Sequence, residues 1–169
     1  MKERKIEIPL KVYAYKELSE ADRKLVDQAK EMTYHSYAPY SHFSVGAAVL
    51  LANGETICGS NQENAAYPSG ICAERTTLFY ANSRYPNVAI RVIAIAARNE
   101  SGEFIQQPVS PCGACRQVML ESQIRGGEPM RILLYGSRCI YELACVEDLL
   151  PLCFTADDMT TDNTSLAEK

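Results

Sequence analysis

From Val88 to Ala97 the chain reads VAIRVIAIAA, with Arg91 the one interruption. A half-exposed strand alternates polar and apolar residues, so a run this apolar and this short reads as a strand covered on both faces. Such a strand needs helices above and below it, and the surrounding pattern offers them. A helix is expected over about Ser19 to His35, opened by Ser19 and Asp22 as a capping box, with Ala21, Leu25, Ala29 and Met32 on one face and Pro39 barring further extension. Others are expected over about Cys72 to Ser83, over Gly113 to Gln123 with Gly126-Gly127 as the stop, and near Val146 to Leu150, ended by Pro151. Strands are expected over Ser44 to Leu51, Glu55 to Asn61 and Arg131 to Tyr135, and the alternating Lys5 to Tyr15 reads as an edge strand. Asn53-Gly54 joins the first two as a type I′ hairpin, in which both central residues take positive φ. Strands alternating with helices imply a mixed sheet packed between helices.

Length and charge narrow the function classes. At 169 residues the chain makes one domain, able to bury roughly 70% of its unfolded surface. A net charge of −4 argues against a general affinity for duplex nucleic acid, which needs a basic footprint, but not against a small nucleobase ligand. Spanning a membrane takes about 20 apolar residues in a row, and runs such as VGAAVLLA fall far short. MKERKIEIPLKVYAYKE lacks the unbroken apolar stretch of a secretory signal, so a cytoplasmic location with reduced thiols is expected. In that setting the seven cysteines point to metal or catalysis before disulfides.

Two segments carry the chemistry: Cys72-Ala73-Glu74 and Pro111-Cys112-Gly113-Ala114-Cys115, each at a junction of loop and helix. At a helix start, Cys112 and Cys115 fall on one side, within reach of one ion, and the exposed amides there favour thiolate. Alone, this C-x-x-C is equally a redox pair or two buried cysteines. Cys72 changes the balance, because three thiolates hold Zn²⁺ with one tetrahedral position free, as a catalytic site requires. His35, His42, Cys58, Cys139, Cys145 and Cys153 remain open as a fourth ligand, which would close the site and make it structural. A ligand-x-Glu segment followed by P-C-x-x-C is the signature of zinc nucleobase deaminases, with the glutamate moving protons beside the metal-activated water.

The chain closely resembles the small, homotetrameric, free-nucleoside cytidine deaminases. The likeness runs from about Tyr34 to Phe154 through YAPYSHFSVGAA, NQENAAYPSGICAER, SPCGACRQ and ELACVEDLLPLCF. It implies a three-layer α/β/α cytidine-deaminase-like fold, with a mixed sheet of about five strands between helices. It implies Zn²⁺ on Cys72, Cys112 and Cys115, with Glu74 as proton shuttle. Phe43 matches the aromatic that packs on the pyrimidine, and Asn61 and Glu63 the pair that holds the ribose hydroxyls. Ala73 would offer backbone groups to the base. Tyr67 matches an interface residue near a site, and Phe154 a C-terminal aromatic that reaches a neighbouring subunit's pocket. Three thiolates leave the zinc site one net negative charge, and a cation on the sulfurs would withdraw it; Arg75 fits, with Arg116 a second candidate.

The implied activity is hydrolytic deamination of cytidine and 2′-deoxycytidine to uridine and 2′-deoxyuridine with release of ammonia, a step of pyrimidine salvage. The expected partners are a small nucleoside substrate and three further copies of the chain with shared sites, and neither polynucleotide nor membrane. Two rivals stand beside it: a sister zinc deaminase acting on another aminopyrimidine, such as a nucleoside antibiotic, and a zinc-stabilised interaction domain. A single domain spans 1–169, with its core at about 19–154, an N-terminal extension at 1–17 and a polar tail at 155–169. The extension and the segment Asn82 to Asn87 depart from the family pattern without touching the motifs.

Overall fold

The apolar run becomes β4 (Ile90–Arg98), an inner strand of a six-stranded sheet in the computed structural model, which describes residues 1–159. On one side β4 pairs parallel with β5 (Arg131–Tyr135), on the other antiparallel with β2 (Ser44–Leu51). β2 then pairs with β3 (Thr56–Ser60), β5 with β6 (Ile140–Leu143), and β6 with β1 (Lys11–Tyr13), all antiparallel. Successive β4 side chains enter opposite cores. Val92, Ala94 and Ala96 meet Leu25, Val26 and Ala29 of α1 (Glu20–Met32). Ile93 and Ile95 meet Leu78 and Ala81 of α2 (Ala73–Arg84) and Met119 and Leu120 of α3 (Gly113–Gly126). This is the expected three-layer α/β/α arrangement. A fully buried isoleucine such as Ile93 contributes about 1.5–3 kcal/mol by leaving water.

The sheet has six strands where about five were expected. The additional one, β6, is short and carries a carboxylate at its centre, so its sequence shows no strand pattern. That carboxylate, Glu142, is buried at 6% exposure. Arg131 and Lys11 satisfy it, each at 3.1 Å, and Arg131 also grips Asp22 at the start of α1. Of the expected edge strand only Lys11–Tyr13 pairs; Pro9, just before it, has no N–H to give a ladder.

Other boundaries moved for local reasons. Ser19 caps α1 by accepting from the Asp22 amide, while the Asp22 carboxylate takes the Ser19 hydroxyl. The last turn of the expected helix tightens to 3₁₀ over Thr33–His35, and the expected Val146 to Leu150 helix is a single 3₁₀ turn, Val146–Asp148. The β2–β3 hairpin is not type I′. Gly54 alone has positive φ, at +87°, its amide donating to Leu51 while Leu51 donates to Glu55, so three residues make the loop. A 3₁₀ turn, Ala156–Met159, occupies the start of the expected tail, whose remainder lies outside the described residues. No helix among those residues is long and apolar enough to cross a membrane.

The topology also decides where chemistry can gather. β3 runs opposite to β2 and β2 opposite to β4, so β3, β4 and β5 all point the same way. α2 follows β3 and α3 follows β4, so both helices begin at the same end of the sheet.

Candidate metal centre and its cleft

Cys72 is the N-cap of α2 and Cys112 the N-cap of α3, both extended, and neither makes a side-chain cap bond. Cysteine is a poor cap, so both sulfurs are free to turn toward each other rather than back onto their own helices. Cys115, one turn into α3, is fully buried beneath them. The sulfurs of Cys72 and Cys112 lie 4.0 Å apart, those of Cys112 and Cys115 3.4 Å apart, and all three within 4.8 Å. Tetrahedral zinc with Zn–S near 2.3 Å sets its sulfurs roughly 3.8 Å apart, so the trio suits that ion in size and in ligand softness. Among the described residues the cluster has three donors and no fourth. None of the histidines or other cysteines left open by the sequence joins it.

Charge is arranged around the sulfurs. The Arg75 guanidinium donates to Cys72 Sγ at 3.7 Å. Hydrogen bonds from Cys115 and then Arg75 pull the Cys72 thiol down to about 5. Cys115 moves up, through its interaction with Cys72 and its burial. The Arg75 guanidinium thus favours the charged form of the sulfur it touches. Arg116 does not reach the trio in the same way: its Nε donates to the Pro111 carbonyl at 2.8 Å and its Nη1 to the Leu149 carbonyl at 2.9 Å.

Glu74 is buried at 5% exposure, and loss of water raises its carboxyl above the ordinary range. It lines a cavity of about 330 Å³ together with Cys72, Cys112, Phe43 and Asn61. An outer cavity of about 480 Å³ adjoins it, lined by Glu63, Tyr67 and Arg75 and sharing Ser41, Asn61 and Cys72. Asn61 does much of its work inside the protein. Its Oδ1 accepts from Ser36 and the Val45 amide and its Nδ2 donates to the Phe43 carbonyl, which leaves one N–H for a ligand. Glu63 accepts from the Tyr40 and Ser41 amides; bonds from the Ser41 hydroxyl and the Tyr40 amide hold its carboxyl below the usual range. Tyr67 packs edge-to-face on Tyr40. Two expected site residues stand apart: Ala73 is buried in the core, and Phe154 is 58% exposed, and neither lines these two cavities.

The sequence reading missed Ser41, common to both cavities, and Val109 and Ser110, which wall the inner one. Ser41 sits in a recognised motif, but it precedes His42 at φ +54°, a left-handed conformation that the residue type does not announce. Val109 and Ser110 precede Pro111 in a stretch without periodicity.

The geometry agrees with comparison to known proteins. Residues 19–126, more than half the chain, match the family model described as the cytidine and deoxycytidylate deaminase zinc-binding region. The chain belongs to that family. A cytidine deaminase of Halalkalibacterium halodurans is 44% identical over 137 residues, covering 80% of this chain and 95% of that protein. One from Sporosarcina psychrophila is 39% identical over 137 residues, covering 81% and 93%. The crystal structure of cytidine deaminase from Burkholderia pseudomallei superposes with a TM-score of 0.67 at 34% identity, covering 81% of this chain and all of that one. The matched zinc-binding region contains Cys72, Cys112 and Cys115, the three residues whose sulfurs converge and could hold a metal ion.

Proposed function

We propose that this chain hydrolyses cytidine and 2′-deoxycytidine to uridine and 2′-deoxyuridine, releasing ammonia. The reading rests above all on one observation: a buried carboxyl, Glu74, shares a cavity with two of three converging sulfurs and with Phe43. Cys72, Cys112 and Cys115 hold zinc, which when bound supplies a Lewis acid that makes water acidic near neutral pH. Glu74 accepts the proton that water gives up and delivers it to N3 of the base as oxygen adds at C4. Glu74 then takes the proton of the new C4 hydroxyl and passes it to the 4-amino group, the C4–N bond breaks as C4=O forms, and ammonia leaves, so nucleoside plus water balances product plus ammonia. A carboxyl with raised proton affinity suits a group that must both take and give a proton.

Phe43 packs on the pyrimidine face, and the remaining N–H of Asn61 and the carboxylate of Glu63 hold the ribose hydroxyls. Tyr67 and Phe154, both largely exposed, meet neighbouring subunits in a homotetramer, where Phe154 enters a neighbour's pocket. The chain is one deaminase domain with its core at about 19–154, acting in the cytoplasm on a small nucleoside. Ultraviolet absorbance and ammonia release with cytidine test the reaction, and sedimentation tests the tetramer. Glu74→Ala is expected to keep zinc and lose turnover; zinc-loaded wild-type protein that leaves cytidine intact would overturn the reading.

A further inference from the structure

Arg116 follows the metal-site residue Cys115 directly, yet its guanidinium is committed to backbone. Nε takes the carbonyl of Pro111, the residue just before Cys112, and Nη1 takes the carbonyl of Leu149, far along the chain. The neighbouring Gln117 donates to the Phe154 carbonyl at 2.8 Å. The first turn of α3 therefore brackets the peptide that presents one sulfur and the segment that ends in Phe154.

Cys112 needs such a bracket. It is exposed, and so are Gly113 and Ala114 after it. A Cβ at Gly113 would meet nothing within 4 Å, so this stretch has little packing to fix it. Pro111 is buried, and its carbonyl is where a rigid, two-pronged donor can set the direction of the next residue. Arg75 and Arg116 thus divide two tasks between them: Arg75 touches a sulfur and shifts its charge, whereas Arg116 touches peptides and shifts nothing but position.

We infer that Arg116 is a positioning residue for the metal centre, holding Cys112 at its place in the sulfur triangle by clamping Pro111 against Leu149. The inference rests on the zinc-binding role of the trio, and its test reads metal release rather than turnover. Zinc-loaded protein is mixed with a chromophoric chelator and the rate of zinc transfer is followed. Partners that orient metal ligands typically matter by about 10–100-fold in metal affinity. Arg116→Gln is expected to release zinc roughly tenfold faster or more. Arg116→Lys, able to reach one carbonyl but not fork between two, is expected to fall between Arg116→Gln and wild type. Gln117→Ala, which loses only the Phe154 contact, is expected to match wild type.

Arg131→Gln guards against a general loosening of the fold, since it breaks an ion cluster at the other end of β5. Its zinc is expected to leave at the wild-type rate. Cobalt-loaded Arg116→Gln is further expected to show an altered thiolate–metal absorption band. Wild-type release from Arg116→Gln, or equal acceleration by Arg131→Gln, would overturn the inference. If Arg116→Gln does not fold, Arg116→Lys decides by the same two criteria. Wild-type protein that binds no zinc would instead overturn the reading of the site itself, a separate outcome.

Discussion

The two ends of the sheet handle polar groups in opposite ways. Near the start of β5, Arg131 joins Asp22 of α1 to Glu142 of β6, and Lys11 of β1 completes the set. Every charge there is spent on another charge of the same chain, and the result is four elements tied together. At the opposite end, where α2 and α3 begin, the groups are left partly unspent. Three sulfurs face one another, Glu74 is buried against a cavity, and Asn61 keeps one N–H to offer. A closed polar cluster is costly to break by removing one partner, whereas one left open toward a cavity has groups to offer a ligand.

Substitution can break this contrast from either side. The largest expected effect is at the open end: Glu74→Ala lowers kcat by roughly 10²–10⁴-fold, as loss of a general acid–base group does, while zinc content by atomic absorption stays at the wild-type level. Next comes Arg75→Ala, which removes the hydrogen bond to Cys72 Sγ and is expected to slow turnover about tenfold with KM for cytidine little changed. Steady-state kinetics separates the two constants, and an unchanged kcat would show that charge on the sulfurs does not limit the reaction.

The closed end is expected to respond in stability alone. Arg131→Gln leaves Glu142 buried beside Lys11 only. A fully buried pair broken this way costs ~3–5 kcal/mol; with Arg131 35% exposed, about 2–3 kcal/mol is expected in a urea titration, with kcat unaltered. The smallest effect is a pH dependence away from the ion cluster, where Tyr15 packs edge-on against Tyr135 at the far end of β5. Burial, followed by its hydrogen bond to Asp27, raises the Tyr15 hydroxyl to about 12. A group with raised affinity contributes stability that is complete below the unfolded value near 10 and is lost as pH climbs toward 12. Thermal unfolding of wild type is therefore expected to fall more steeply between pH 10 and 12 than that of Tyr15→Phe.

How much of this was legible in advance varies with the kind of signal. β2 and β5 were found to the residue, because their apolar runs end at loops marked by polar residues and glycine. β6 was invisible, because Glu142 occupies a buried position that only Arg131 and Lys11 make tolerable, and both lie outside its own segment. At Asn53-Gly54 the turn was legible but its type was not, since loop length is settled by the register of β2 on β3. The sulfur trio and Glu74 could be named because their spacing is local. Ser41, Val109 and Arg116 could not be assigned their places, because each works through contacts with residues far along the chain.

By itself, the order of residues determined the layers, the helix starts and the cysteine spacing, all of which follow from periodicity and short-range sterics. Only the folded chain decided that the two helix starts meet, because that depends on β3, β4 and β5 running in one direction. It alone decided, too, that one arginine serves a sulfur and the other a pair of carbonyls. Those outcomes come from long-range packing, where the partner of a side chain is chosen by the path of the backbone and not by its neighbours in sequence.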